Sequence, residues 1–345
     1  MTSPPLIADS SAADGFPDDT ARKRRWLIGI WVVVALFAMV TAVRSHQVGV
    51  PVRDPEGEIF RWRIAKSLAL FGVLMLVDAS IRTGRAGWSV EKVRAQLRRR
   101  WPKDRLAIAL SGLLAYHLVY LCYRNLKSWL AFRATHDDLL LRVDRWLFFD
   151  HSPAVLLHDL FGQHWAAYVF AAIYRSFTYL VPFSLAASLV FSTRIREGYV
   201  FLASAMWVWI LGVGSYYLIP AIGPFDSAPR EFSHLPHTAI TETQVEYTTE
   251  RAQILHHPAA ADSFSSIGAF ASLHIAFTFM VLLMLRYYGF RRAVRAITVY
   301  LIAVAGATIY LGWHFAIDDV AGLVVAFLAV LFGRLMIHPR GRGSP

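Results

Sequence analysis

The sequence predicts an all-α chain, a polytopic transmembrane helical bundle of about eight spans. Three observations carry that expectation. The 345 residues are 56% hydrophobic and only 17% charged, with a mean hydropathy of +0.43, too apolar for an ordinary soluble domain. Apolar runs long enough to cross roughly 30 Å of hydrocarbon recur along the chain. The formal net charge of +11 collects in alternating connections, as expected where basic loops stay on the cytoplasmic side.

Taken in order, residues 1–21, "MTSPPLIADSSAADGFPDDTA", lack apolar periodicity and read as a disordered cytoplasmic tail. The first span, 26–44, follows "ARKRRW"; its length and the absence of an A-x-A cleavage site make it a retained anchor, not a signal peptide. Further spans are expected at 65–81, 106–123, 167–192, 199–219, 267–286, 294–312 and 316–336. The domain plan is therefore two N-terminal transmembrane helices with a basic loop over 22–104, a catalytic membrane domain over 105–336 and a basic tail over 337–345.

With "RKRR" cytoplasmic, the loops "RTGRAGWSVEKVRAQLRRRWPKDR", "STRIREG" and "RYYGFRRAVR" and the tail "RLMIHPRGRGSP" share its side and are all basic. The loop 220–266, on the other side, holds six acidic residues against two basic ones. Segment 45–66 runs against the rule, with Arg53, Arg61, Arg63 and Lys66 facing Asp54, Glu56 and Glu58. Both termini are thus expected in the cytoplasm of a multi-pass protein of the cell membrane. "SVEKVRAQLRRRWPK" mixes Val90, Val93, Leu97 and Trp101 with arginines and fits an interface with anionic membrane lipids. No nucleic-acid partner is expected. "DDLLLRVDRWLFF" is too short and charged to span and reads as an interfacial helix on the outer face. For 220–266 an ordered lid and a plain connection both fit.

Cys122 is the single cysteine, which rules out an intrachain disulfide and a multi-cysteine metal centre. His234, His237, His256 and His257 lack zinc-site spacing, and neither a phosphate-binding Walker loop nor a dinucleotide fingerprint is present. Neither a metal nor another cofactor is expected.

Ionisable residues in or beside spans are costly and mark candidate sites. Four clusters fall toward the outer face: Arg124 and Lys127 in "YRNLKSW", Ser272 and His274 in "FASLHIAF", His314 and Asp318 in "GWHFAIDD", and Arg175 with Tyr179 in "AIYRSFTYLVP". His314 and Asp318 are four apart, so on a helix they share a face, and the carboxylate would fix the imidazole tautomer. A capped histidine beside an aspartate in the first turn of the last span explains the same pair structurally. Ser272 and His274 do not share a helical face, but the free N–H groups at a helix start let both turn toward a phosphate. Cations, a serine and two histidines on one side of a membrane point to phosphoryl chemistry, in which one histidine attacks phosphorus and the other protonates the leaving oxygen.

"ASLH" followed about forty residues later by "YLGWHFAIDD" resembles the type 2 phosphatidic acid phosphatase superfamily, and most closely its inositol phosphorylceramide synthase-like (inositolphosphotransferase) branch. Ser272-Leu273-His274 matches the second motif and His314 to Asp318 the third, and "YLIPAIGP" at 217–224 is similar to a Pro-rich segment of that branch. The resemblance covers roughly 105–336 and implies a six-helix core. It implies His314 as nucleophile forming a phosphohistidine, Asp318 as its orienting carboxylate, His274 as general acid and Ser272 as phosphate ligand, with a lipid-linked phosphate as substrate. Two departures stand out. Ala307 and Thr308 occupy the Ser-Arg positions before the third-motif histidine, and Lys127 is followed by Arg133 one residue early, without the first motif's proline. Arg124 and Lys127, with Arg175 as a third, are therefore the expected phosphate cations.

The expected activity is a metal-independent phosphotransferase or phosphatase, with transfer of a phosphoinositol-type head group as one outcome and release of inorganic phosphate as the other. An anion or lipid transporter is the rival from another class. It is disfavoured because no paired Gly/Pro-broken spans are seen and the cluster lies at an interface rather than the midplane. A catalytically dead lipid-binding relative is disfavoured by the presence of both histidines and Asp318.

Overall fold

The computed structural model describes residues 25–84 and 87–339; the tail expected at 1–21 and the end of the basic tail lie outside them. The helices are α1 (Arg25–Val48), α2 (Arg61–Gly84), α3 (Val90–Arg100), α4 (Lys103–Ser128), α5 (Asp137–Leu147), α6 (Pro153–Phe161), α7 (Trp165–Phe191), α8 (Ile195–Leu218), α9 (Pro224–Ser227), α10 (Ala239–His256), α11 (Leu273–Tyr287), α12 (Arg291–Tyr310) and α13 (Ala316–Ile337). No strand occurs among the described residues. The chain is a multi-pass helical bundle.

Seven helices are long and apolar enough to span: α1, α2, α4, α7, α8, α12 and α13. The expected sixth span is different. Only Leu273–Tyr287 is helical there, 15 residues, or about 22 Å at 1.5 Å per residue. Residues 262–272 run extended before it. The apolar pattern of "IGAFAS" is real, but these small residues line the protein interior instead of continuing a helix.

α8 is the centre. In its most apolar stretch 78% of residues are buried, against 28% for α1 and α2, as expected of a helix that is apolar all round and enclosed by others. It packs against α4, α7, α11 and α13, while α1 lies on α4, and α2 packs on α4 and α7. Trp26 of α1 meets Tyr199 of α8 edge-on at 4.5 Å, so the first two helices are built into the bundle.

Two polar layers close its ends. At one end Arg100 and Arg105 donate to the carbonyls of Val190, Ser192 and Thr193 between α7 and α8. Arg196 donates to Ile337 and Tyr287 donates to Glu197 there as well. At the other end gather 49–60, 129–137, 219–238, 257–272 and 311–318. Arg53 donates to the carbonyls of Ser263 and Pro258, and the Asn125 amide exchanges two hydrogen bonds with the Arg53 backbone, at 2.8 and 2.9 Å.

The interfacial helix expected within 137–149 forms as α5, but two acids share its inner face with a leucine. Asp137, Leu140 and Asp144 are buried, while Leu139 and Trp146 are exposed. The expected lid-or-connection at 220–266 is ordered, with α10 capped by Thr238 and Thr241.

In the first layer, Asp78 is 4% exposed and pairs with Arg82 at 2.9 Å and Arg100 at 2.7 Å. Asp78→Ala strands the buried Arg100 charge and is expected to cost about 3–5 kcal/mol. A fall in thermal unfolding midpoint of the purified protein, absent in an exposed control such as Arg98→Ala, is the measurement.

Candidate active site

The site is built where α11 and α13 begin. α12 ends in a Schellman turn, with Trp313 N–H donating to the Thr308 carbonyl (3.0 Å) and Gly312 N–H to Ile309 (3.0 Å). Gly312 has φ +74°, and a Cβ there would stand 2.7 Å from the Phe232 ring, so glycine is required on both backbone and packing grounds. The turn reverses the chain and leaves His314 outside any helix, with its N–H directed at Thr308 (3.3 Å).

Phe315 is the extended N-cap of α13. Asp318, three residues on, accepts the Phe315 N–H at 3.0 Å with Oδ2, and the same oxygen lies 3.4 Å from Nδ1 of His314. The contact suits the tautomer with its proton on Nδ1 and its lone pair on Nε2. The expected contact is therefore present, but on different geometry. Residues 314–315 are not helical, and the pair meets across a cap. The structural role considered for these residues, capping α13, is served by the same carboxylate.

Ser272 precedes α11 as its N-cap, with ψ of 108°, and its N–H donates to the Asp318 carbonyl at 3.0 Å. The two helix starts are thus joined through one peptide. Gly322 permits it: a Cβ there would lie 2.5 Å from the Ser272 carbonyl oxygen. His274, one residue into α11, packs between Tyr174 (4.3 Å between ring centroids) and Phe177 (4.4 Å) of α7. Its ring centroid is 5.9 Å from that of His314, inclined at 61°. Both imidazoles are on one side of the bundle, close enough to address one phosphorus atom.

Lys127 lies within Coulombic reach of both imidazoles, beside the Tyr216 ring at 5.5 Å. Arg124, one turn earlier on the same face of α4, donates to Ser266 Oγ at 2.9 Å. Arg175 is not brought in. It is exposed on α7, on a different face from its neighbours Tyr174 and Phe177, which touch His274. Tyr179 is 76% exposed. The Ser272 hydroxyl is fully buried and faces the Asp319 carboxylate without a well-formed hydrogen bond.

His314 is 5% exposed. Burial first, then the neighbouring His274 and Lys127, hold its imidazole well below the ordinary range. That shift favours the neutral ring at neutral pH.

Several site residues escape the sequence reading. Asp144 of α5 accepts from Ala316 N–H (2.6 Å) and Ile317 N–H (3.1 Å), the first two amides of α13. Asp137, two turns earlier, accepts from Ile222 (2.9 Å) and Gly223 (2.8 Å) in the Pro-rich segment. Desolvation pushes both carboxyls up, partly offset by these amides. Asp319 accepts from Thr308 Oγ1 at 3.1 Å, so the position expected to carry arginine instead holds a threonine bonded to a buried carboxylate. Trp313 stacks on Tyr174, at 5.6 Å and 8°. The seven-residue spacing of Asp137 and Asp144 was the available signal for a shared, inward face. α10 covers the site: Gln244 donates to the Leu311 carbonyl (2.8 Å), Tyr247 meets Trp313 at 5.7 Å, and Glu250 accepts the Ser266 N–H (2.9 Å). No metal-binding cluster occurs among the described residues.

Asp144→Ala frees both leading amides of α13 and is expected to lower stability by about 1–2 kcal/mol. Asp144→Asn, which keeps one acceptor, should recover part of that loss in the same thermal unfolding assay.

No curated protein and no solved structure matches the chain. The family model described as the PAP2 superfamily matches residues 138–332, more than half of the chain, taking in both histidine motifs and α5 to α13 but not α4. With both motifs inside that match, the chain belongs to the PAP2 superfamily.

Proposed function

We propose that this membrane protein acts on a lipid-linked phosphate ester through a phosphohistidine on His314, transferring the phosphoryl group to an alcohol. Superfamily membership supports lipid phosphate phosphatase or phosphotransferase chemistry. The observation that carries the finer reading is the 5.9 Å separation of the His274 and His314 rings, with Asp318 on Nδ1 of the second.

In the first step Nε2 of His314 attacks phosphorus, the P–N bond forms, and the P–O bond to the leaving oxygen breaks. His274, which takes up a proton as the anionic substrate enters beside it, donates that proton to the leaving oxygen. Asp318 takes up the positive charge developing on the imidazole through Nδ1–H. Lys127, the Ser272 hydroxyl and the amides opening α11 meet the phosphoryl oxygens, with Arg124 one turn beyond Lys127. In the second step an acceptor oxygen attacks phosphorus, its proton passes to His274, and the P–N bond breaks.

Water and an alcohol are alternative acceptors. Coverage by α10 supports transfer, because a site closed to bulk water protects the phosphohistidine from hydrolysis. An inositol-type acceptor or head group fits the branch that the motifs resemble. The substrate chains would enter between helices, with the site opening to the outer face and both termini in the cytoplasm, a disposition supported by the basic residues gathered at the opposite end of the bundle.

Incubating the purified protein with a labelled lipid phosphate, with and without inositol, tests the reading: a new phosphate ester means transfer, and free phosphate means hydrolysis. His314→Ala should abolish acid-labile phosphoprotein and turnover while leaving the fold intact; turnover by the folded variant would refute the nucleophile. His274→Ala should lower kcat by about 10²–10⁴.

The depressed pKa of His314 sets a pH dependence. Protonation removes the nucleophile, and it begins only well below the ordinary value of 6.5. Single-turnover labelling of His314 should therefore persist as pH falls through 6.5, where an exposed imidazole would already be losing half its reactive form.

A further inference from the structure

Three cations at this end of the bundle exceed what one phosphoryl group needs. Tyr120, Arg124 and Lys127 follow one face of α4. Lys127 is the member beside the histidines. Tyr120 lies about 10 Å further along the helix at 1.5 Å per residue, and the Arg63 guanidinium sits 4.0 Å above its ring. The Tyr120 hydroxyl lies within reach of both Arg63 and Arg124. The cations therefore run in a row, Lys127, Arg124, Arg63, with an aromatic ring between the last two.

None of the three forms an ion pair with a carboxylate among the described residues. Glu250 is in Coulombic reach of Arg124 and Lys127, and its carboxylate is engaged by the Ser266 N–H. Donors remain unused as well: Arg124 Nε and Ser265 Oγ are buried without a partner. Half-buried cations without a carboxylate, one of them with a free donor, are costly unless an anion completes them.

Arg63 belongs to α2, before the region matched by the family model. It is held in place from both sides. Asn125 ties the α1–α2 connection to α4 through its two hydrogen bonds with Arg53, and Ser67, one turn after Arg63, meets His117 Nε2 at 3.0 Å. The first two helices thus add a fixed positive charge to the site.

We propose that Arg63 and Arg124, on either side of Tyr120, form a second anion subsite next to the Lys127–histidine site, so that the reactants bring two phosphate groups to the pocket. This rests on the phosphoryl-transfer reading and narrows its substrate class. The second phosphate belongs either to a diphosphate ester, as the group left on the lipid when the terminal phosphoryl moves to His314, or to a phosphorylated alcohol acceptor. Both present the same dianionic oxygens to guanidinium forks.

Inorganic phosphate binding to the purified full chain in nanodiscs tests it. Wild type should bind two phosphates per chain, Arg63→Gln one, and Arg63→Lys two with the second weakened by about tenfold, as expected for loss of a bidentate guanidinium. One phosphate on wild type, two of unchanged affinity on Arg63→Gln, or loss of both sites together in Arg63→Gln would overturn the proposal. Unchanged thermal unfolding of Arg63→Gln shows that the fold is kept. Methylenediphosphonate displacing both phosphates with one molecule assigns the pair to a diphosphate ester; inositol 1-phosphate displacing only the Arg63-dependent one assigns it to the acceptor. Phosphohistidine labelling is read separately: two bound phosphates without labelling would keep the subsite and reject the mechanism.

Discussion

In hydrocarbon an unbonded backbone amide costs several kcal/mol, and 263–272 is extended chain packed among membrane helices. Five of its amides find partners far away in the chain. Ser265 donates to Ser128 Oγ, Ser266 to Glu250, Ala269 to the Ala221 carbonyl, Ala271 to Ser215 Oγ and Ser272 to the Asp318 carbonyl. Each bond reaches a different part of the chain, so satisfying this segment fixes α4, α8, α10, α13 and the Pro-rich turn around one point. The histidines stand at that point.

The same demand explains the acidic residues. A helix that starts inside a membrane leaves amides open, and α13 closes them with Asp144 from α5 and with its own Asp318. Capping brings Asp318 against His314, so the group that stabilises the helix start also orients the imidazole. Carboxylates spent on amides are held rigidly, and rigid placement is what a site needs to keep a nucleophile aimed. α11 begins differently: its N-cap Ser272 is tied through its N–H to the Asp318 carbonyl, and His274 lies in the turn that follows.

Charge follows the same economy of burial. One end of the bundle pairs Asp78 with Arg82 and Arg100, while at the site end Lys127, Arg124 and Arg63 form no ion pair among the described residues. The first arrangement is charge-paired; the second keeps a positive excess. The rings of Tyr174, Phe177 and Trp313 around His274 and His314, with α10 above them, lower the local dielectric and strengthen the attraction of that charge for an anion.

The sequence by itself determined the all-α membrane class, seven of the spans to within a few residues, and the two histidine motifs, because hydrophobic length and motif spacing are local properties of the chain. It did not determine that 267–272 stays out of the helix, that α5 turns Asp137 and Asp144 inward, that Arg175 stays outside the cluster, or that Arg63 joins the cations around Tyr120. Those outcomes depend on which amide finds which acceptor and which face meets a neighbour, and such pairings exist only once distant segments are packed together.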